Sequence, residues 1–143
     1  MEVNNRIGLC LLVLTVVISG CVDAEPSTPD ETVENYFSDL NGFAEDTESA
    51  YDYLSSDVQD ETSYADYHEE ITMMKSSYES QGVSFDLLQV ETTEESEGSA
   101  TVEIVYTMEM LQGGATNVDR EVDLVKEDDS WKIDELFNPY NLD

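Results

Sequence analysis

The chain has 143 residues, 40% of them hydrophobic and 27% charged, and its 34 Asp and Glu against 5 Lys and Arg give a formal net charge of -29. That length accommodates one domain. Recognition of phosphate rests on Lys and Arg, so this balance excludes nucleic acid and anionic headgroups as partners.

Arg6 precedes an uncharged apolar run at residues 7–19 (IGLCLLVLTVVIS). A bilayer core of ~30 Å needs ~20 apolar residues of helix, so the run reads as the hydrophobic region of a signal peptide rather than a span. It ends in Ile18-Ser19-Gly20-Cys21, which resembles the lipobox of secreted lipoproteins, where the cysteine thiol carries the lipid. The expected layout is a signal peptide at 1–20, a lipidated tether at 21–27 and a single domain at 28–143. Cys10 would leave with the leader and Cys21 would be acylated, so no pair of cysteines remains for a disulfide. Cleavage removes Glu2 and Arg6 together and leaves the net charge unchanged. Six residues follow Cys21 before Thr28 and reach only ~20 Å when extended, holding the domain against the extracytoplasmic face of the cell membrane. The acids are dispersed from Asp23 to Asp143, the pattern of a halophile's solvation shell rather than of an acidic tail. At molar salt the Debye length of ~3 Å screens their repulsion.

Thr28-Pro29-Asp30-Glu31 is a capping box with proline at the first helical position. Val33, Tyr36, Phe37 and Leu40 follow as one apolar stripe, and Asn41-Gly42 supplies the stop. A second helix is expected over 46–54, burying Ala50, Tyr53 and Leu54. In a third, Tyr64, Tyr67, Ile71, Met74 and Tyr78 recur at spacings of three and four before Gln81-Gly82. The period then changes to two. Val83, Phe85 and Leu87 share one parity while Leu88 and Val90 take the other, so this strand requires a bulge or burial on both faces. An acidic turn at 93–98 leads to a strand with Ala100, Val102, Ile104, Tyr106, Met108 and Met110 on its dry face. Gln112-Gly113-Gly114 turns the chain into Val118, Val122 and Leu124, and Glu127-Asp128-Asp129-Ser130 turns it again into Trp131 and Ile133. Helices followed by an antiparallel meander make the fold class α+β.

Pro29-Asp30-Glu31-Thr32-Val33 with Tyr36-Phe37, Ala50-Tyr51-Asp52-Tyr53-Leu54-Ser55, Val122-Asp123-Leu124-Val125-Lys126-Glu127 and Trp131-Lys132-Ile133 resemble, in order and spacing, lipoproteins of the nuclear-transport-factor-2-like, or cystatin-like, superfamily. The resemblance implies a cone in which a curved antiparallel sheet wraps around the long helix and opens at one end into a pocket. It spans catalytic and non-catalytic members, so it selects no activity.

His68, the only histidine, stands beside Tyr64 on the third helix, where a neutral imidazole is suited to general-base chemistry. Related enzymes pair such a histidine with an aspartate inside the cone. Asp86, the nearest acid on the following strand, has the outward parity. Arg120 shares the parity of Val118, Val122 and Leu124. A hairpin register with Met108 opposite Val118 sets Tyr106 opposite Arg120, within cation–π reach. A guanidinium on that face needs an anion, either an internal carboxylate or an anionic ligand. The candidate pocket or ligand-binding residues are thus Tyr64, His68, Tyr106, Met108 and Arg120. The acidic clusters lack the spacing of a calcium loop, one histidine with no free cysteine is poor in zinc ligands, and no cofactor motif is present. The expected function is a membrane-anchored, non-catalytic domain that binds a small apolar or anionic ligand or docks a protein. The alternative is a small proton-transfer enzyme using His68 or a pocket acid.

Overall fold

Thr28 accepts the Glu31 amide on its hydroxyl oxygen at 3.3 Å and starts the first helix, α1 (Pro29–Asn41), as the capping sequence requires. The computed structural model describes residues 28–41, 47–111 and 113–139. The leader and tether, with Cys10 and Cys21, lie outside the described residues, as do Gly42, Asp46 and Gln112. On α1 the whole stripe of Val33, Tyr36, Phe37 and Leu40 is buried.

The helix expected over 46–54 is α2 (Thr47–Asp52), which ends two residues early and buries Ala50, and a further short helix that the sequence reading did not expect, α3 (Ser56–Glu61), follows it. Between them Leu54 forms a parallel bridge with Ile133. The Ile133 amide donates to the Tyr53 carbonyl and the Ser55 amide to the Ile133 carbonyl, both at 2.8 Å. Long-range bonds to β4 thus satisfy backbone groups that a continued helix would have bonded internally. Ser55 then caps α3 by accepting the Val58 amide, and Ser63 does the same for Asp66 at the head of α4 (Tyr64–Ser80). Gly82, at φ +70, turns the chain out of α4.

Four strands follow, β1 (Val83–Glu95), β2 (Ser99–Met110), β3 (Ala115–Glu127) and β4 (Ser130–Ile133), in the order β1-β2-β3-β4. All pairs are antiparallel and the sheet curls into a half-barrel, so the α+β cone is the observed fold. β1 resolves its clash of parities by a bulge, with the register shifting between Leu87 and Gln89 and Leu88 left 57% exposed. β1 runs on to Glu95, so the expected acidic turn shrinks to its last residues. The β3–β4 hairpin places Asp128 at φ 48 and Asp129 at φ 69, the left-handed pair of a type I′ turn.

One expectation is corrected by the β2–β3 register. Tyr106 lies opposite Val118, Met108 opposite Thr116 and Arg120 opposite Ile104. The loop is two residues tighter than the expected register required, because the Met110 amide reaches the Gly114 carbonyl at 3.0 Å and the Gly113 amide the Met110 carbonyl at 2.9 Å. The inward parity of Arg120 survives, since a shift of two residues preserves the face.

α1 packs against β1, β2 and β4, and α4 rests on β1 and α2. The concave space is filled with rings. Phe37 meets Tyr106, Tyr106 meets Phe85, and Phe85 meets Tyr78 at centroid distances of 5.7, 6.2 and 5.2 Å. On the convex face the pairing aligns Glu91, Glu103 and Glu121 in one row across three strands. Like charges directly opposite one another destabilise a sheet, and salt relieves them. Glu103, half-buried between the other two, feels both. Glu103→Gln should therefore stabilise the domain in dilute buffer by about 0.5–1 kcal/mol, a gain that shrinks at molar KCl. Denaturant midpoints measured in both conditions check this, and a gain independent of salt would contradict it.

Candidate functional site

The five candidate residues occupy distinct surroundings. Tyr64 and His68 stand one turn apart on α4 with ring centroids 5.7 Å apart, and both side chains are exposed. They share one partner, the hydroxyl of buried Thr47 at the start of α2, which lies 2.7 Å from His68 Nδ1 and 3.2 Å from the Tyr64 hydroxyl. This trio ties α2 to the outer side of α4. Asp86 is exposed on the face its parity indicated.

Tyr106 and Met108 lie on the concave side of β2 and are buried. The Tyr106 hydroxyl donates to the Pro139 carbonyl at 3.1 Å. Burial raises its titration above the usual tyrosine value, with Arg120 pulling the other way. Arg120 therefore acts on Tyr106 from the diagonal position set by the register, not from directly opposite.

Two more tyrosines use their hydroxyls in the same manner, and the sequence stripes gave no sign of it. Tyr67 donates to the Tyr36 hydroxyl at 3.2 Å, and Tyr36 donates to the Phe137 carbonyl. Burial pushes the Tyr67 hydroxyl well above its ordinary range. The acceptors of Tyr36 and Tyr106 belong to the segment after β4. There Phe137, Asn138 and Pro139 are buried, Phe137 sits 5.8 Å from the Tyr36 ring, and the Asn138 side-chain amide reaches Glu70 Oε1 at 3.3 Å and Met74 Sδ at 3.1 Å. The C-terminal segment thus lies across the aromatic interior and is bolted to α1, α4 and β2. A signal was available in the sequence: Leu136-Phe137 and Pro139 put apolar residues beyond the last strand.

Arg120 is half-buried in a cleft of about 120 Å³ lined by Arg120, Glu121, Glu135, Leu136, Phe137 and Asn138. Partial burial raises the Glu135 carboxyl above its usual value, while a backbone hydrogen bond at Asp123 and, to a smaller extent, the Arg120 charge draw it back. Arg120 thus shares its cleft with two carboxylates of the same chain, Glu121 and Glu135. The lysines are bound structurally as well. Lys75 donates to the Leu40 carbonyl at the end of α1 at 3.0 Å, and Lys132 to the Asp52 carbonyl at the end of α2 at 2.9 Å, each at the negative pole of a helix. Lys126 lies over the Trp131 ring at 5.6 Å. A wider groove of about 420 Å³ on the convex side is lined by Glu94, Glu95, Asp123 and Asp134 among others. Its acids are in part engaged, Asp134 by the Ser55 hydroxyl at 2.8 Å and Asp123 by the Thr101 hydroxyl at 2.9 Å. Among the described residues no group of three or more His, Cys, Asp or Glu is arranged to hold a metal ion.

The family model described as an NTF2-like N-terminal transpeptidase domain matches residues 28–139. No curated protein matches the chain. Among solved structures, a SEC-C-motif-containing protein from Rhodopseudomonas palustris superposes with a TM-score of 0.56 at 11% identity, over 78% of this chain and 79% of that one; the likeness is one of fold. The intermembrane-space region of the chloroplast protein ARC6 aligns with a TM-score of 0.35 at 17% identity, over 77% of this chain and 95% of that one.

The cleft generates a pH prediction. A carboxyl whose folded value is raised costs stability above that value and ceases to cost it as pH falls through it toward 4.5. Arg120→Met removes the counter-charge and raises Glu135 further. The variant should be nearly as stable as wild type near pH 4 and less stable by roughly 1 kcal/mol at neutral pH, the scale of a partly exposed pair. Urea midpoints across that range at constant KCl provide the check, and a deficit independent of pH would contradict the pairing.

Proposed function

The chain belongs to the family of NTF2-like N-terminal transpeptidase domains, and from that premise we propose that it is an extracytoplasmic lipoprotein, tethered through Cys21, whose domain is a non-catalytic docking module. One observation carries the docking reading. The concave interior, where a ligand pocket was expected, holds the buried Tyr36, Tyr67, Tyr106 and Phe137, with the tyrosine hydroxyls bonded to one another or to main-chain carbonyls. A donor bonded to its own backbone is not offered to a ligand, and a filled cone leaves the outer surface to do the recognising. The family's description names the N-terminal part of a transpeptidase, a position suited to a domain that places or receives another protein. The lipobox-like Ile18-Ser19-Gly20-Cys21 supports the anchor, and the dispersed acid with its aligned glutamates supports life in concentrated salt.

A second reading, a small proton-transfer enzyme, is favoured by the 2.7 Å contact of Thr47 with His68 Nδ1. Against it, Thr47 is buried at the junction of two helices, where its hydroxyl serves the packing.

Cys21→Ser should move the full chain from the membrane to the soluble fraction with its unfolding midpoint unchanged; continued membrane association would contradict the anchor. Wild-type chain extracted at molar KCl should carry no small organic molecule at one per chain in native mass spectrometry. A ligand retained at that ratio would replace docking by ligand binding.

A further inference from the structure

β3 has thirteen residues and β4 only four, so β4 covers β3 only from Leu124 to Glu127. One more bond on that side, from the Asp134 amide to the Asp123 carbonyl at 2.8 Å, extends the cover by a single residue. It also fixes which backbone groups point outward. The odd-numbered residues of β3 bond toward β4, and the even-numbered ones bond toward β2, as the Lys126 amide does to the Gly98 carbonyl. Ala115, Asn117, Asp119 and Glu121 consequently direct their amides and carbonyls away from the sheet, along an edge of roughly 20 Å.

The outer edge of β4 is covered by residues 53–55 through the Leu54 bridge and its flanking bonds. Among the described residues nothing pairs with β3 from Ala115 to Glu121 on this side, and the protection of the edge is limited to the charges of Asp119, Arg120 and Glu121. Its pairing with β2 is unbroken by a bulge, and it contains neither proline nor lysine. Its chemistry differs on the two faces. Asn117, Asp119 and Glu121 are exposed on the convex side, whereas Val118 and half-buried Arg120 lie on the concave side. Beside the latter runs the 120 Å³ cleft with Leu136, which is 41% exposed.

We propose that this edge accepts an extended segment of a partner protein, alternating basic and apolar residues, as a fifth strand beside Ala115, Asn117, Asp119 and Glu121. Main-chain bonds supply the affinity of such strand addition, and alternate side chains supply its specificity. Basic residues of the incoming strand stand beside Asp119 and Glu121 as cross-strand pairs of opposite charge. Its apolar residues turn toward Val118, Leu136 and the cleft. A second copy of this chain is the poorer occupant, because it brings another net charge of -29 and sets acid against acid. The proposal rests on the docking reading and names the surface and the chemistry of what docks.

The test is hydrogen exchange of the full chain in detergent, with a synthetic nine-residue peptide alternating lysine and valine as probe. The amides of Asn117, Asp119 and Glu121 should exchange rapidly alone and slow by roughly tenfold or more with peptide. The same peptide with N-methylated backbone amides keeps the charge but cannot extend the sheet, and it should protect none of them. Asp119→Pro removes one outward donor while leaving bonds to β2 intact, and it should weaken peptide binding severalfold; if it fails to fold, the methylated peptide still decides. Equal binding by both peptides, or binding with these three amides still exchanging, overturns the edge while leaving docking elsewhere intact. Protection without peptide, constant or rising with protein concentration, places this chain's own segment or a second copy on the edge and also overturns the proposal. Failure of docking altogether is read separately, from ligand retention.

Discussion

A hydroxyl on the first helix holding a carbonyl near the end of the described chain is the contact on which the interior depends. Tyr36 donates to Phe137 across 101 residues of sequence, takes a bond from Tyr67, and sets its ring at a 45° tilt beside that of Phe137. Tyr106 secures Pro139 from the sheet side. Inside a low-dielectric core each such bond matters less for its net favourable energy, about 1 kcal/mol, than for the ~1–3 kcal/mol cost of leaving a donor or carbonyl unpaired. The three tyrosines therefore specify one path for the C-terminal segment. That path lays Phe137 and Pro139 against the aromatic interior of the cone.

The same path decides what the outside looks like. The segment leaves β4 at Asp134 and crosses toward α1 and α4, so it does not continue alongside β3. Among the described residues half of β3 is consequently left as a sheet edge, and Arg120 lines a cleft there with Glu135 of the departing segment. The remaining cations are spent locally on helix ends and on Trp131, so the acidic surface receives little compensation from within the domain. Aligned glutamates in the sheet and separated carboxylates elsewhere then make ionic strength a determinant of stability. The same surface costs more in dilute buffer than in concentrated salt, where screening weakens the repulsion.

Much of the architecture was legible because its signals are local. The capping residue Thr28, the stripe through Tyr36 and Leu40, the alternation from Ala100 to Met110 and the parity conflict at Leu88 each report on a few neighbouring residues, and each element follows from them. What escaped was set over longer distances. The break at Tyr53 and Leu54 exists because β4, eighty residues later, offers bonds that compete with the helix; only Ser55, a capping residue, hinted at it. The β2–β3 register depended on how tightly Gly113 and Gly114 close the loop, which composition does not specify. The candidate residues illustrate the same limit. Parity put Tyr106, Met108 and Arg120 on one face of the sheet, yet whether a pocket opens there depends on what else enters the space, and Phe137, which packs beside Tyr36, comes from a stretch without periodicity. For His68, helical spacing identified its neighbour Tyr64 but not Thr47, which arrives from another helix.

The segment after β4 packs into the cone beside Tyr36 and Tyr106. The most direct test of this packing is thermal unfolding of wild type and Phe137→Ala with and without an apolar aromatic probe such as indole. Wild type should be unaffected by the probe. Phe137→Ala should lose ~3–5 kcal/mol, as a buried phenylalanine does on truncation, and recover part of it when indole occupies the vacated space. Stabilisation of wild type by indole equal to that of the variant would show an interior already open to ligands and contradict the account.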